Sequence, residues 1–197
     1  VLGIILAASF ASRTFPEELE RKTLIPLLAK PVSHGSVLWG KYLACVSLSG
    51  LPYLLFVGAV LLAVPMVSGQ TAVALAQVVV LQFCGLALVS AICLSVSLFF
   101  PFIIAALVTL LWYFGSGPVL HVGRQALMCR VLPEWQTILE RLIACVPDAS
   151  LLQQIESFAG ALGPLPPSLF GGLVVYGLSW VCLFLVIAHW RLRCQWF

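Results

Sequence analysis

The sequence predicts an all-α, polytopic membrane protein with four full spans, a partial span at its N-terminus and helical segments outside the bilayer. Three observations carry that prediction. Of 197 residues, 62% are hydrophobic and only 9% charged, where an average soluble domain is about a quarter charged. The mean hydropathy is +1.12. The apolar residues also fall in long runs, with the charges crowded between them. Such a composition excludes a disordered chain and an ordinary soluble enzyme. A net charge of +3 is too small to argue for a nucleic-acid partner. Twelve prolines and fifteen glycines exclude a simple coiled coil or one long regular bundle.

Residues 1–12, VLGIILAASFAS, are apolar and uncharged. At 1.5 Å per residue they cover roughly 18 Å of a hydrocarbon core of about 30 Å. With no basic n-region and no A-x-A site, they read as the end of a membrane helix rather than a signal peptide.

Residues 13–41 change character and hold five of the ten basic residues and three of the seven acids. Thr14-Phe15-Pro16-Glu17 has capping-box spacing, with Pro16 in the first turn. Thr23 caps a second short helix, with Pro26 in its first turn and Pro31 at its end. Two short polar helices outside the membrane are expected.

Four apolar runs follow. The first is 42–64, with Pro52 as a kink and Pro65 as a stop. The second, 72–100, is long enough to need tilt. The third opens at Phe102, just beyond Phe100-Pro101, and the fourth covers 168–190. Trp39, Tyr42, Trp112, Tyr113, Trp190 and Trp196 fall near the expected span ends, where an aromatic belt would place them. The chain therefore reads as one transmembrane domain, 1–197. Its parts are 1–12, 13–41, three spans within 42–118, an outer segment 119–167, a last span 168–190 and a tail 191–197.

Lysine and arginine set the orientation. The basic segment 13–41 and the tail, with Arg191 and Arg193, come to the same side after four crossings, which the positive-inside rule makes cytoplasmic. Segment 119–167 is then outside. Within it Trp135, Ile138, Leu139, Leu142, Ile143 and Val146 form one apolar helix face between Pro133 and Pro147. Asp148 caps a second amphipathic helix, which 163–167 ends. These helices are expected at the outer interface.

The chemistry-bearing residues are few. Gly35-Ser36-Val37-Leu38-Trp39-Gly40-Lys41 spells the first seven positions of a P-loop, but Tyr42 follows where Ser or Thr would hold magnesium. With no preceding strand, a loop leading into a span with Lys41 at the headgroups is the better reading. Glu17, Glu18 and Glu20 stand beside Arg13, Arg21 and Lys22, a solvated charged face that docks a partner rather than a catalytic cluster. His34, His121 and His189 are scattered singly. None of the seven cysteines makes a C-x-x-C pair, and no metal, cofactor or catalytic residue is expected. Only Cys129 and Cys145 share a polar segment, where a disulfide is open but unforced. The spans hold no Asp, Glu, Lys or Arg, which weakens a proton- or sodium-coupled carrier. Their polar residues, Ser47, Ser49, Gln77, Gln82, Ser90, Ser95, Ser97 and Thr109, are expected to bond between helices.

Residues 18–41 resemble a motif of the type-two ABC exporter permeases, E-x-E-x-G-T-L-x-x-L-L-A-R-P-V-S-R followed by G-K at the next span. The matching positions are Glu18, Glu20, Thr23, Leu24, Leu27, Leu28, Ala29, Pro31, Val32, Ser33, Gly40 and Lys41. Lys22 replaces the usual Gly, His34 the usual Arg, Lys30 stands at the other Arg position, and Pro26 is unusual. The resemblance implies a non-catalytic permease subunit of the plasma (bacterial inner) membrane. Its partners would be a separate ABC ATPase, a second or homologous permease, and membrane lipid. The cytoplasmic helix at 17–30 would be the coupling helix, with Glu18, Glu20, Arg21, Thr23, Leu24, Leu27, Leu28, Lys30 and Pro31 as its partner-binding residues. The rival expectation is a structural or assembly subunit of a larger membrane complex, without transport.

Overall fold

The computed structural model describes residues 2–14, 34–63, 69–128, 147–148 and 165–195. They form five helices: α1 (Leu2–Thr14), α2 (His34–Ala63), α3 (Gly69–Ser97), α4 (Phe102–Met128) and α5 (Pro167–Gln195). No strand occurs among the described residues. Four helices are long and apolar enough to cross a membrane, within Gly35–Ala59, Val73–Ser97, Phe102–Val119 and Pro167–Cys194. The fourfold crossing and the shorter first helix match the expected fold class. The expected short helices within 15–33 and the outer amphipathic pair lie outside the described residues, apart from Pro147 and Asp148. Cys129 and Cys145 lie outside them too.

Helix α3 is the core of the bundle. Two thirds of its span (67%) is buried, against 28%, 22% and 17% for the spans of α2, α4 and α5. It packs against each of the other four helices. Its buried residues Leu86, Leu88, Val89, Ala91, Ile92, Cys93 and Leu94 leave hardly any side facing out. A helix apolar on all sides belongs in the middle of a bundle. Helix α1 approaches it through Ala7, Ala8 and Ala11, all fully buried. Small residues let backbones come close, and the Cys93 thiol donates to the Ala8 carbonyl at 3.2 Å. Helix α5 adds a seam of Val181, Leu185, Ala188 and Leu192, whose 4-3-4 spacing keeps one stripe on α3.

Several helices run further than their apolar patterns. α2 begins at His34, so the Gly35–Lys41 stretch read as a loop is helical; Gly35 and Gly40 lie in its first turns, where their conformational cost is small beside continuous hydrogen bonding. α2 also runs through Pro52. α4 runs past Gly115 and Pro118 to Met128, within the part of the chain expected to have left the membrane. α5 opens on Pro167, a first-turn position that needs no N–H, and continues through the expected tail to Gln195.

Two of the residues expected in an aromatic belt are core residues instead. Tyr42 is 6% exposed and its hydroxyl donates to the Ala87 carbonyl on α3, at 3.3 Å. Tyr113 is likewise buried. Trp39 and Trp190 are exposed, as interfacial residues are. The span hydroxyls also differ from expectation. Ser47, Ser49, Ser90, Ser97 and Thr109 each donate to a carbonyl three or four residues back in their own helix. Back-bonding of this kind satisfies a hydroxyl in an apolar setting without a second helix. Ser95 and Gln77 do reach other segments: Ser95 to Phe184 of α5 at 2.8 Å, and Gln77 to Leu165.

Candidate functional site: the basic end of the bundle

The C-terminal ends of α1, α3 and α5 and the N-terminal ends of α2 and α4 gather at one end of the bundle. Arg13 closes α1, Lys41 lies in the early turns of α2, and Arg191 and Arg193 lie in the last turns of α5. Asp148, the one acid among the described residues, is at the opposite end, where its backbone N–H donates to the Tyr176 hydroxyl at 2.9 Å. Arg124, near the C-terminus of α4, lies towards that end too, so the described residues put four basic groups at one end and one group of each sign towards the other.

Local contacts fix this end. Thr14, read as a cap for the next helix, ends α1, with its hydroxyl donating to the Phe10 carbonyl at 2.8 Å. The same hydroxyl lies 3.3 Å from the Cys45 sulfur, within hydrogen-bonding distance. That contact ties α1 to α2. The first turn of α2 meets α5 where Gly35 faces His189; a Cβ at Gly35 would sit 3.6 Å from His189 Cε1. Trp39 and Tyr42 pack edge-to-face at 5.9 Å on the same helix.

Between α3 and α4 the chain turns within four residues. Phe99 and Phe100 N–H groups both donate to the Val96 carbonyl, tightening the last turn of α3, and the Pro101 carbonyl accepts the first bond of α4 from Ala105. Two arginines from other helices lie on this turn. The Arg191 guanidinium sits 4.9 Å from the centre of the Phe99 ring, and that of Arg13 sits 5.5 Å from the centre of the Phe102 ring. No sequence spacing announces these pairs, because each joins elements distant in the chain.

The residues expected to bind a partner, Glu18, Glu20, Arg21, Thr23, Leu24, Leu27, Leu28, Lys30 and Pro31, lie outside the described residues. What is described is their frame: the segment carrying them joins Thr14 to His34, the ends of α1 and α2 at the basic end. Both helices pack on α3 and on one another. Among the described residues, no three His, Cys, Asp or Glu side chains come together as a metal site.

A family profile described as ABC-2 family transporter protein matches residues 1–193. No curated protein and no solved structure matches the chain. The match takes in all five helices and the segment between α1 and α2. With four span-length apolar helices, one of them buried at the centre of the bundle, the chain belongs to the ABC-2 transporter family of multi-pass membrane proteins.

Proposed function

We propose that this chain is the permease subunit of an ABC transporter, resident in the plasma (bacterial inner) membrane. It couples ATP hydrolysis by a separate ATPase subunit to export of a substrate, and itself makes and breaks no covalent bond. The observation that carries the reading is the family match across 1–193, which spans both the helices and the segment with coupling-helix character.

The packing suits this task. A docked segment between α1 and α2 acts on two helices that share α3 as their support. The α1–α3 contact is tight, with Ala7, Ala8 and Ala11 wholly buried. Close-packed interfaces shift between discrete arrangements rather than deform gradually. A push delivered at the basic end is thus passed to α3 as a rigid displacement. A second permease copy, or a homologous one, would complete the path through the membrane.

In the segment itself, Leu19, Leu24, Leu27 and Leu28 enter a groove of the ATPase, while Glu18, Glu20, Arg21 and Lys22 set register at its rim. The test is Leu27→Asp, assayed by co-purification of the ATPase and by ATP-driven transport. Burying an unpaired charge in the groove costs several kcal/mol, about 3–5 by comparison with broken buried pairs. The variant is expected to insert normally and to lose its ATPase or uncouple hydrolysis from transport. Retention of the ATPase with normal transport would show that this helix is not the coupling element. Failure of the wild-type chain to retain any ATPase would favour an assembly subunit instead.

A further inference from the structure

We propose that the α3–α4 turn and the two arginines stacked on it form a binding site for the headgroup of an anionic phospholipid. The site goes beyond transport and needs no ATPase.

The turn stands at the membrane boundary, because one span ends at Ser97 and the next begins at Phe102. Phe99, Phe100 and Phe102 are 51%, 49% and 37% exposed. Three exposed aromatic rings in a row are costly in water and favourable among headgroups. Below them Ile103, Leu107 and Leu111 are exposed at i, i+4 and i+8, an apolar stripe leading from the turn along α4 into the membrane. An acyl chain has a surface to lie on. A free phosphate has no use for one.

The arginines supply the charge. Arg191 from α5 and Arg13 from α1 flank the turn with their guanidinium groups over Phe99 and Phe102. Stacking occupies the faces of those planar groups and leaves their N–H edges for acceptors lying in the plane. Arg191 as a whole is half-buried; its Nε is enclosed by protein and has no hydrogen-bond partner there. A phosphodiester at the outer Nη edge offers the paired oxygens that a guanidinium fits best. No acid among the described residues lies at this end to do so. Pro101, which opens α4, has no side-chain oxygen with which to cap the helix, so its positive end faces the same place. Charge complementarity and the adjoining acyl stripe together select a lipid as occupant.

The experiment uses the purified full-length protein, with any subunit that accompanies it, stripped of lipid in micelles. Phosphatidylglycerol, phosphatidylcholine or inorganic phosphate is then added. Retained lipid is counted by native mass spectrometry and the melting temperature is followed. Phosphatidylglycerol is expected to be retained in preference to phosphatidylcholine and to raise the melting temperature. Arg13→Gln and Arg191→Gln are each expected to weaken that retention about fivefold, the factor equivalent to ~1 kcal/mol per basic residue near an anionic surface. Arg193→Gln removes the same charge from the same helix end and is expected to change retention less than twofold. Phe99→Leu keeps the apolar volume, removes the ring under Arg191, and is expected to weaken retention with folding intact. Equal losses in all three arginine variants would overturn the site in favour of diffuse surface charge. So would equal retention of the two lipids, or full retention by Phe99→Leu. Stabilisation by inorganic phosphate equal to that by phosphatidylglycerol would make it a free-anion site. Loss of an ATPase subunit in Arg191→Gln with lipid retention unchanged would make it a protein-docking surface.

Discussion

A Cβ added at Gly50 of α2 would stand 2.7 Å from Cε2 of the Phe83 ring on α3, closer than carbon atoms approach without something moving. Glycine ordinarily weakens a helix, so replacing it by alanine stabilises by roughly 0.5–1 kcal/mol where space allows. At Gly50 the ring decides the sign. Gly50→Ala is expected to destabilise the bundle by about 1–3 kcal/mol, the range for overpacking. Gly58, on the same helix, has nothing within 4 Å of its added Cβ, and Gly58→Ala is expected to be stabilising. Unfolding in mixed micelles compares the two. Phe83→Leu in the Gly50→Ala background is expected to recover part of the loss. Equal stability of the two alanine variants would mean that the ring swings aside freely.

The Gln77 side chain and the backbone of Leu165 exchange two hydrogen bonds. The Leu165 N–H donates to Oε1 at 2.8 Å, and Nε2 donates to the Leu165 carbonyl at 3.1 Å. This pair, in line with the expectation that Gln77 bonds between helices, holds the start of α5 against α3. Gln77→Leu strands both backbone groups and is expected to cost about 1–3 kcal/mol. Hydrogen exchange at the Leu165 amide reports it directly. Faster exchange in the variant is expected, with amides at the basic end unchanged.

The spans were legible because their signal is cumulative: many apolar residues in a row outvote any single proline or glycine. Pro52 and Pro118 lie inside helices for that reason. Individual polar residues were harder to place. Tyr42 sits near the start of an apolar run, where a headgroup position and a core position leave the same trace in sequence. Only the position of Ala87, on a helix far along the chain, separates the two. Ser47, Ser49, Ser90 and Ser97 bond within their own helix, unlike Ser95, because an intrahelical carbonyl is always within reach, whereas an interhelical one depends on packing. The arginine–phenylalanine pairs at the α3–α4 turn left no sequence signal at all. The motif of 18–31, the most informative stretch of the sequence, lies outside the described residues.

The G-x-x-x-x-G-K stretch ending at Lys41 is part of α2. Helical N–H groups beyond the first turn are committed to carbonyls of their own helix and cannot converge on a phosphate. Lys41→Ala is therefore expected to leave ATP binding by the assembled transporter unchanged, measured with a fluorescent nucleotide. Loss of ATP binding with assembly intact would restore a nucleotide role for the motif.

The orientation rests on a charge difference between the two ends. Arg13, Lys41, Arg191 and Arg193 stand at one end, while Arg124 near the end of α4 and Asp148, beside Tyr176, stand towards the other. Arginine and lysine near span ends hold a segment on the cytoplasmic side during insertion. Lys22→Cys and Arg193→Cys are thus expected to react with a membrane-impermeant maleimide only after permeabilisation, and Gln136→Cys without it. The background must lack native cysteines. Cys93 is best replaced by serine, whose hydroxyl can still donate to the Ala8 carbonyl that the thiol now reaches. Arg193 is exposed, so its substitution disturbs no packing and reports topology alone. If the labelling pattern were reversed, the segment joining α1 to α2 would face away from any cytoplasmic ATPase. Its leucines and charges would then have no groove to meet, and the proposed coupling would fail on geometry before any transport assay was run.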